Sequence, residues 1–190
     1  MISRIFALGF AGLAFAFAAT PQQHPIDVRK SVLTVHVSKS GIFSAAGHNH
    51  EIAAPIASGD VDAAGHQVEL KVNTNALQVR DPEVSEKDRA RIQSTMLGPE
   101  VLDTQRYPEI VFRSTGANSA GQGVWKVQGN LTFHGQTRPV EVEVHEAGGH
   151  YDGSASFKQT EFGIKPVKVA GGTIRVKDEV RIEFRIYLAP

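Results

Sequence analysis

Trp125-Lys126-Val127-Gln128-Gly129-Asn130-Leu131-Thr132-Phe133-His134-Gly135-Gln136-Thr137-Arg138-Pro139-Val140-Glu141-Val142-Glu143-Val144-His145 decides the fold class. Trp125, Val127, Leu131 and Phe133 alternate with Lys126, Gln128, Asn130 and Thr132. Past Gly135, Val140, Val142 and Val144 alternate with Glu141, Glu143 and His145. A period of two with one apolar face marks antiparallel strands that are wet on the other face. Parallel strands covered on both faces would read as unbroken apolar runs. Gly135 supplies the positive φ that a tight connection between two such strands needs.

The same period extends in both directions. Leu33, Val35 and Val37 alternate with Thr34 and His36, and Val68, Leu70 and Val72 with Glu69 and Lys71. Ile110 and Phe112 follow Pro108, and Tyr151, Ala155 and Phe157 continue the pattern. Val180, Ile182, Phe184, Ile186 and Leu188 alternate with Arg181, Glu183, Arg185 and Tyr187. Glycines at 65, 121, 123, 148, 149, 171 and 172 punctuate the runs. Many short-looped antiparallel strands predict an all-β domain, either a meander closed on itself or two stacked sheets. One stretch breaks the period. Residues 81–97 are rich in helix formers, with Asp81 as the expected cap, Pro82 at the first helical position and Gly98-Pro99 as the stop.

The chain has 190 residues. Residues 1–19 carry one charge, Arg4, then an apolar run closed by Ala16-Phe17-Ala18-Ala19. This is the pattern of a signal peptide, so residues 20–190 are expected to form one exported domain in the periplasm. Without Arg4 that domain carries 19 Lys and Arg against 20 Asp and Glu. Near-neutral charge argues against nucleic acid held on a broad basic face. There are no cysteines, which excludes disulfides, thiolate zinc sites and covalent haem attachment. No later apolar run approaches the ~20 residues a spanning helix needs.

Enzyme signatures are absent: no Gly-x-Ser-x-Gly, no phosphate-binding Gly-x-x-x-x-Gly-Lys and no His-Glu-x-x-His. No catalytic activity and no cofactor are expected. The inward faces of eight or so strands sum to a large apolar interior, which side chains fill or which holds one small ligand. A different chemistry is offered by Gly47-His48-Asn49-His50. On a strand, His48 and His50 point to one side about 7 Å apart, close enough to share a metal. A third ligand would be required, and His36, Glu51 or His66 could supply it.

Three segments carry a family resemblance. Leu102-Asp103-Thr104-Gln105-Arg106-Tyr107-Pro108-Glu109-Ile110-Val111-Phe112-Arg113-Ser114, the hairpin from Val127 to Val140, and Glu161-Phe162-Gly163-Ile164 together resemble the YceI family of periplasmic, lipocalin-like proteins described as polyisoprenoid-binding. The resemblance runs from Ile26-Asp27 nearly to the C-terminus. It implies an eight-stranded antiparallel barrel with one short helix near one end. It also implies a lumen that sequesters or transports an isoprenoid or similar amphiphilic lipid, with the protein alone or as a homodimer. The lumen candidates are Leu70, Val72, Phe112, Leu131, Phe133, Phe157, Phe162 and Phe184. The chain departs from the family pattern at Gly47-His48-Asn49-His50 and at Ser94-Thr95-Met96-Leu97, where the family often carries a His-Leu pair.

Overall fold

The computed structural model describes residues 23–40, 49–62, 64, 66–169 and 174–190. The expected signal segment and His48 lie outside them. The alternating runs form strands β2 (Val32–Ser40), β3 (His50–Ala53), β4 (Ile56–Asp62), β5 (Gln67–Asn73), β7 (Glu109–Gly121), β8 (Val124–Phe133), β9 (Gln136–Ala147), β10 (His150–Lys158) and β12 (Ile174–Tyr187). Three two-residue strands complete the set: β1 (His24–Pro25), β6 (Gln78–Val79) and β11 (Lys168–Val169).

All pairings are antiparallel, in the order β1-β4-β5-β7-β8-β9-β10-β12-β2-β3-β6, with β11 on β12. The sheet closes through one run of chain. Residues 50–62 pair with β2 along β3 and with β5 along β4, turning at Ala54-Pro55. The Ala54 N–H still reaches Leu33 O on the β2 side. At the chain ends, Ile26 bridges Leu188 while its N–H bonds Gly59 O. The fold is therefore the expected antiparallel barrel, but its strand count differs. Among the described residues twelve strands appear where eight were expected, because β3 with β4 and β5 with β6 are each one barrel wall broken by a bend, and β1 and β11 are short edge pieces.

The helix also differs. α1 runs Glu86–Leu97, five residues later than Asp81. Its cap is Ser85, whose side chain accepts from the Asp88 N–H. Asp81 is buried and engaged elsewhere. Ser85-x-x-Asp88 is a capping-box spacing, which outcompetes an aspartate whose carboxylate is already taken. Gly98 ends the helix, its N–H bonding Ser94 O and Thr95 O. Among the described residues, no helix is long and apolar enough to cross a membrane.

Apolar packing falls into two clusters, one at each end of the barrel. Ile52, Val72, Leu77, Met96, Phe133, Phe162 and Ile164 form the core at the α1 end. Ile26, Ile56, Val61 and Ile186 form the other. Between them, large rings lie over glycines of neighbouring strands: Phe112 over Gly129 and Phe184 over Gly153. A Cβ on Gly153 would strike the Phe184 ring and Glu143 O. Overpacking of this kind costs about 1–3 kcal/mol, so Gly153→Ala is expected to lower stability by that amount in chemical denaturation. Gly116→Ala is the control, because a Cβ there meets nothing within 4 Å, and its midpoint should stay near that of the parent. Equal midpoints for the two variants would remove the ring-over-glycine account.

Candidate functional site

The inward faces do not fill the barrel. They enclose a cavity of about 1140 Å³. Leu33, Val35 and Val37 of β2, Leu70 and Val72 of β5, and Val140, Val142 and Val144 of β9 line it in the period-two spacing read from the sequence. Val180, Ile182, Phe184 and Ile186 of β12 supply the facing wall. The cavity spans the barrel. At one end Ile92 and Met96 of α1 close over it; at the other it reaches Trp125, Val144 and Tyr151 near the strand-joining turns.

Seven of the eight lumen candidates line this space: Leu70, Val72, Phe112, Leu131, Phe133, Phe157 and Phe184. Phe162 does not. It is 0% exposed, on a 3-10 turn (Gln159–Phe162), packed in the core of the α1 end with its ring centroid 5.1 Å from that of Phe157 and 5.5 Å from that of Phe133. The turn residue that follows explains its position. Gly163 adopts φ 77°, and His134 Nδ1 lies 3.1 Å from Phe162 O, so the segment folds back against the β8–β9 hairpin.

Polar groups are confined to the two ends. At the turn end, His66 stacks on Trp125 with ring centroids 5.0 Å apart, and Asp62, Gln67 and Glu146 also line the rim. Burial raises the Tyr151 phenol above its ordinary value, with the Glu146 charge adding to the effect, so this lumen residue is a neutral donor at any ordinary pH. At the helix end, Lys39, His50, Asp88, Arg91 and Arg175 line the rim.

His50 is the polar residue whose setting the sequence hid. Its Nδ1 lies 2.6 Å from Asp81 Oδ2, and Asp81 Oδ1 accepts the Glu51 N–H at 2.8 Å. The Asp81 side chain is 2% exposed and that of His50 21%. Arg89 donates to the Asp81 carbonyl, tying this corner to α1. Thirty-one residues separate the partners, so no local spacing could pair them.

Among the described residues, the two-histidine metal reading gains no third ligand. His50 stands opposite Val37 and shares its inward face, whereas His36 and Glu51 pair with each other on the outward one. His36 Nε2 there lies 3.4 Å from Glu183. His66 belongs to the opposite rim, against Trp125. Among the described residues no three His, Cys, Asp or Glu side chains converge as a metal site.

Residues 25–188 match the family described as the YceI-like domain. The chain belongs to the YceI family. Among curated relatives, a UPF0312 protein of Vibrio cholerae is 25% identical over 196 residues, covering 96% of this chain and 98% of that protein. A UPF0312 protein of Shewanella baltica is 27% identical over 171 residues, covering 84% and 85%. Among solved structures, BcnA of Burkholderia cenocepacia is similar with a TM-score of 0.62 at 21% identity, over 87% of this chain and 99% of that one. The YCEI protein of Campylobacter jejuni gives 0.51 at 10% identity, over 99% of each. At these identities the structures speak to the fold, which is shared. The three segments that suggested YceI from sequence all fall within the matched span.

On the outer YceI barrel face, the Arg185 guanidinium grips Asp152 through Nε at 2.7 Å and Nη2 at 3.2 Å. Those bonds hold the Asp152 carboxyl below its ordinary 3.8, with His150 contributing less. A depressed carboxyl stabilises the fold above its unfolded value and loses that contribution as pH falls through the folded one. Carboxyl NMR of the parent should show Asp152 titrating below 3.8, with its midpoint rising in Arg185→Gln. An unmoved midpoint would assign the depression to another group.

Proposed function

We propose that this YceI-family protein binds a polyisoprenoid or similar long-chain amphiphile in its barrel lumen and sequesters or carries it without catalysis, alone or as a homodimer, in the periplasm. The observation that carries the reading is the cavity itself. Roughly 1140 Å³ of largely apolar space spans the barrel, and the charged side chains that line it among the described residues lie toward its rims. Drug-sized ligand pockets run ~300–1,000 Å³, so the space suits an extended chain better than a compact polar metabolite. Each buried CH₂ contributes about 0.8 kcal/mol, so a long chain needs few polar contacts to be held. Export is supported by the signal-like residues 1–19, and folding without disulfides by a barrel whose long strands all find partners.

Native mass spectrometry of protein purified from its own host, followed by organic extraction, tests the reading. A recurrent adduct that extraction releases as a long-chain lipid is expected. Repeated recovery of empty protein that also fails to take up a long-chain isoprenoid alcohol would sink it.

A further inference from the structure

At the helix-end rim, His50 is held in place by a nearly sequestered partner. His50 lines the cavity, and Asp81 does not. The ring therefore turns its Nδ1 edge away from the lumen, toward a nearly sequestered carboxylate 2.6 Å away. Asp81 is itself fixed, since its second oxygen holds the Glu51 N–H. The Nε2 edge is the one left toward the lumen, and it has no hydrogen-bond partner among the described residues.

An acceptor-only carboxylate on Nδ1 demands that Nδ1 carry the proton. In the neutral ring, Nε2 is then a lone-pair acceptor facing the cavity. Such an atom pairs with an O–H donor and gains nothing from an ether or a hydrocarbon.

We propose that His50, oriented by Asp81, accepts a hydrogen bond from the hydroxyl head group of a long-chain alcohol. The ligand thus sits with its head under α1 and its tail toward Trp125. This rests on the lumen reading above and adds an orientation and a head-group class to it. Asp81 is the positioning residue and His50 the contact.

The test uses the full barrel domain with two probes of equal chain length, geranylgeraniol and its methyl ether, each displacing a lumen-bound fluorescent dye. One neutral hydrogen bond is expected to make the alcohol bind about five- to tenfold tighter than the ether. His50→Phe should abolish the preference, with the alcohol losing more affinity than the ether. Asp81→Asn keeps an oxygen for the Glu51 N–H but offers Nδ1 a donor, which moves the ring proton to Nε2. That variant should abolish the preference, because an alcohol oxygen and an ether oxygen can each accept from an Nε2–H, and ¹⁵N NMR of the His50 ring should show the proton on Nε2. A purely structural role for Asp81 would not move that signal. Three results overturn the proposal: no alcohol preference in the parent, parallel losses for both probes in His50→Phe, or a fatty-acid carboxylate binding more tightly than the alcohol. Failure of the parent to bind either probe would instead overturn the lumen reading.

Discussion

Phe162→Ala is expected to be the most damaging single truncation in this barrel, lowering unfolding stability by about 3–5 kcal/mol. The ring is 0% exposed and sits against both Phe133 and Phe157. Removing it deletes the transfer energy of an aromatic side chain and leaves a void. The site cannot collapse easily. Gly163 holds the backbone at φ 77°, and the Gly163 and Ile164 N–H groups are bonded to Thr160 O and Gln159 O. Urea denaturation followed by tryptophan fluorescence reads the loss, since Trp125 sits at the far end of the barrel. Because Phe162 does not border the cavity, chain binding by the folded fraction should persist. A loss below about 1 kcal/mol would mean that the site repacks like an exposed one.

Ala155→Trp is the converse experiment. Ala155 lines the lumen midway along β10, with Ile182 and Val142 as its cross-strand partners. Here an indole would grow into empty space rather than into packed atoms, so the usual 1–3 kcal/mol overpacking cost of roughly that size does not apply. Stability is expected to stay within about 1 kcal/mol of the parent. Long-chain binding should fall at least about a hundredfold, because the indole blocks the burial of several CH₂ groups at ~0.8 kcal/mol each. Dye displacement by geranylgeraniol measures it. Unchanged affinity would place the bound chain elsewhere.

What could be read from the residues was the wall. Period two assigned Leu70, Val72, Phe112, Leu131, Phe133, Phe157 and Phe184 to the inward face, and each lines the cavity. Alternation is a local property, and a closed antiparallel sheet translates it directly into inside and outside. The helix cap and Phe162 were not legible in this way, because neither is set by alternation. Asp81 looked like a helix cap until a histidine from β3 occupied its carboxylate. Ser85 and Asp88 did carry the legible capping signal, overshadowed by Asp81-Pro82. Phe162 belonged to no alternating run; it sits on a 3-10 turn that Gly163 ends in a left-handed conformation, so period two did not bear on it.

The pairing of β2 with β12 sets the order in which this barrel can be made. Val32–Ser40 hydrogen-bonds to Ile174–Tyr187, so the first long strand waits for the last one. A chain emerging from its N-terminus can assemble the hairpins from β7 to β10 early, because their neighbours are adjacent in sequence. The lumen, by contrast, comes into being only with the final stretch. Until then every inward-facing valine and phenylalanine is on an open, sticky sheet. Such long-range closure is slow relative to hairpin formation and leaves a window for aggregation. A chain lacking its last strand is therefore a trough with two unpaired edges, unable to enclose anything.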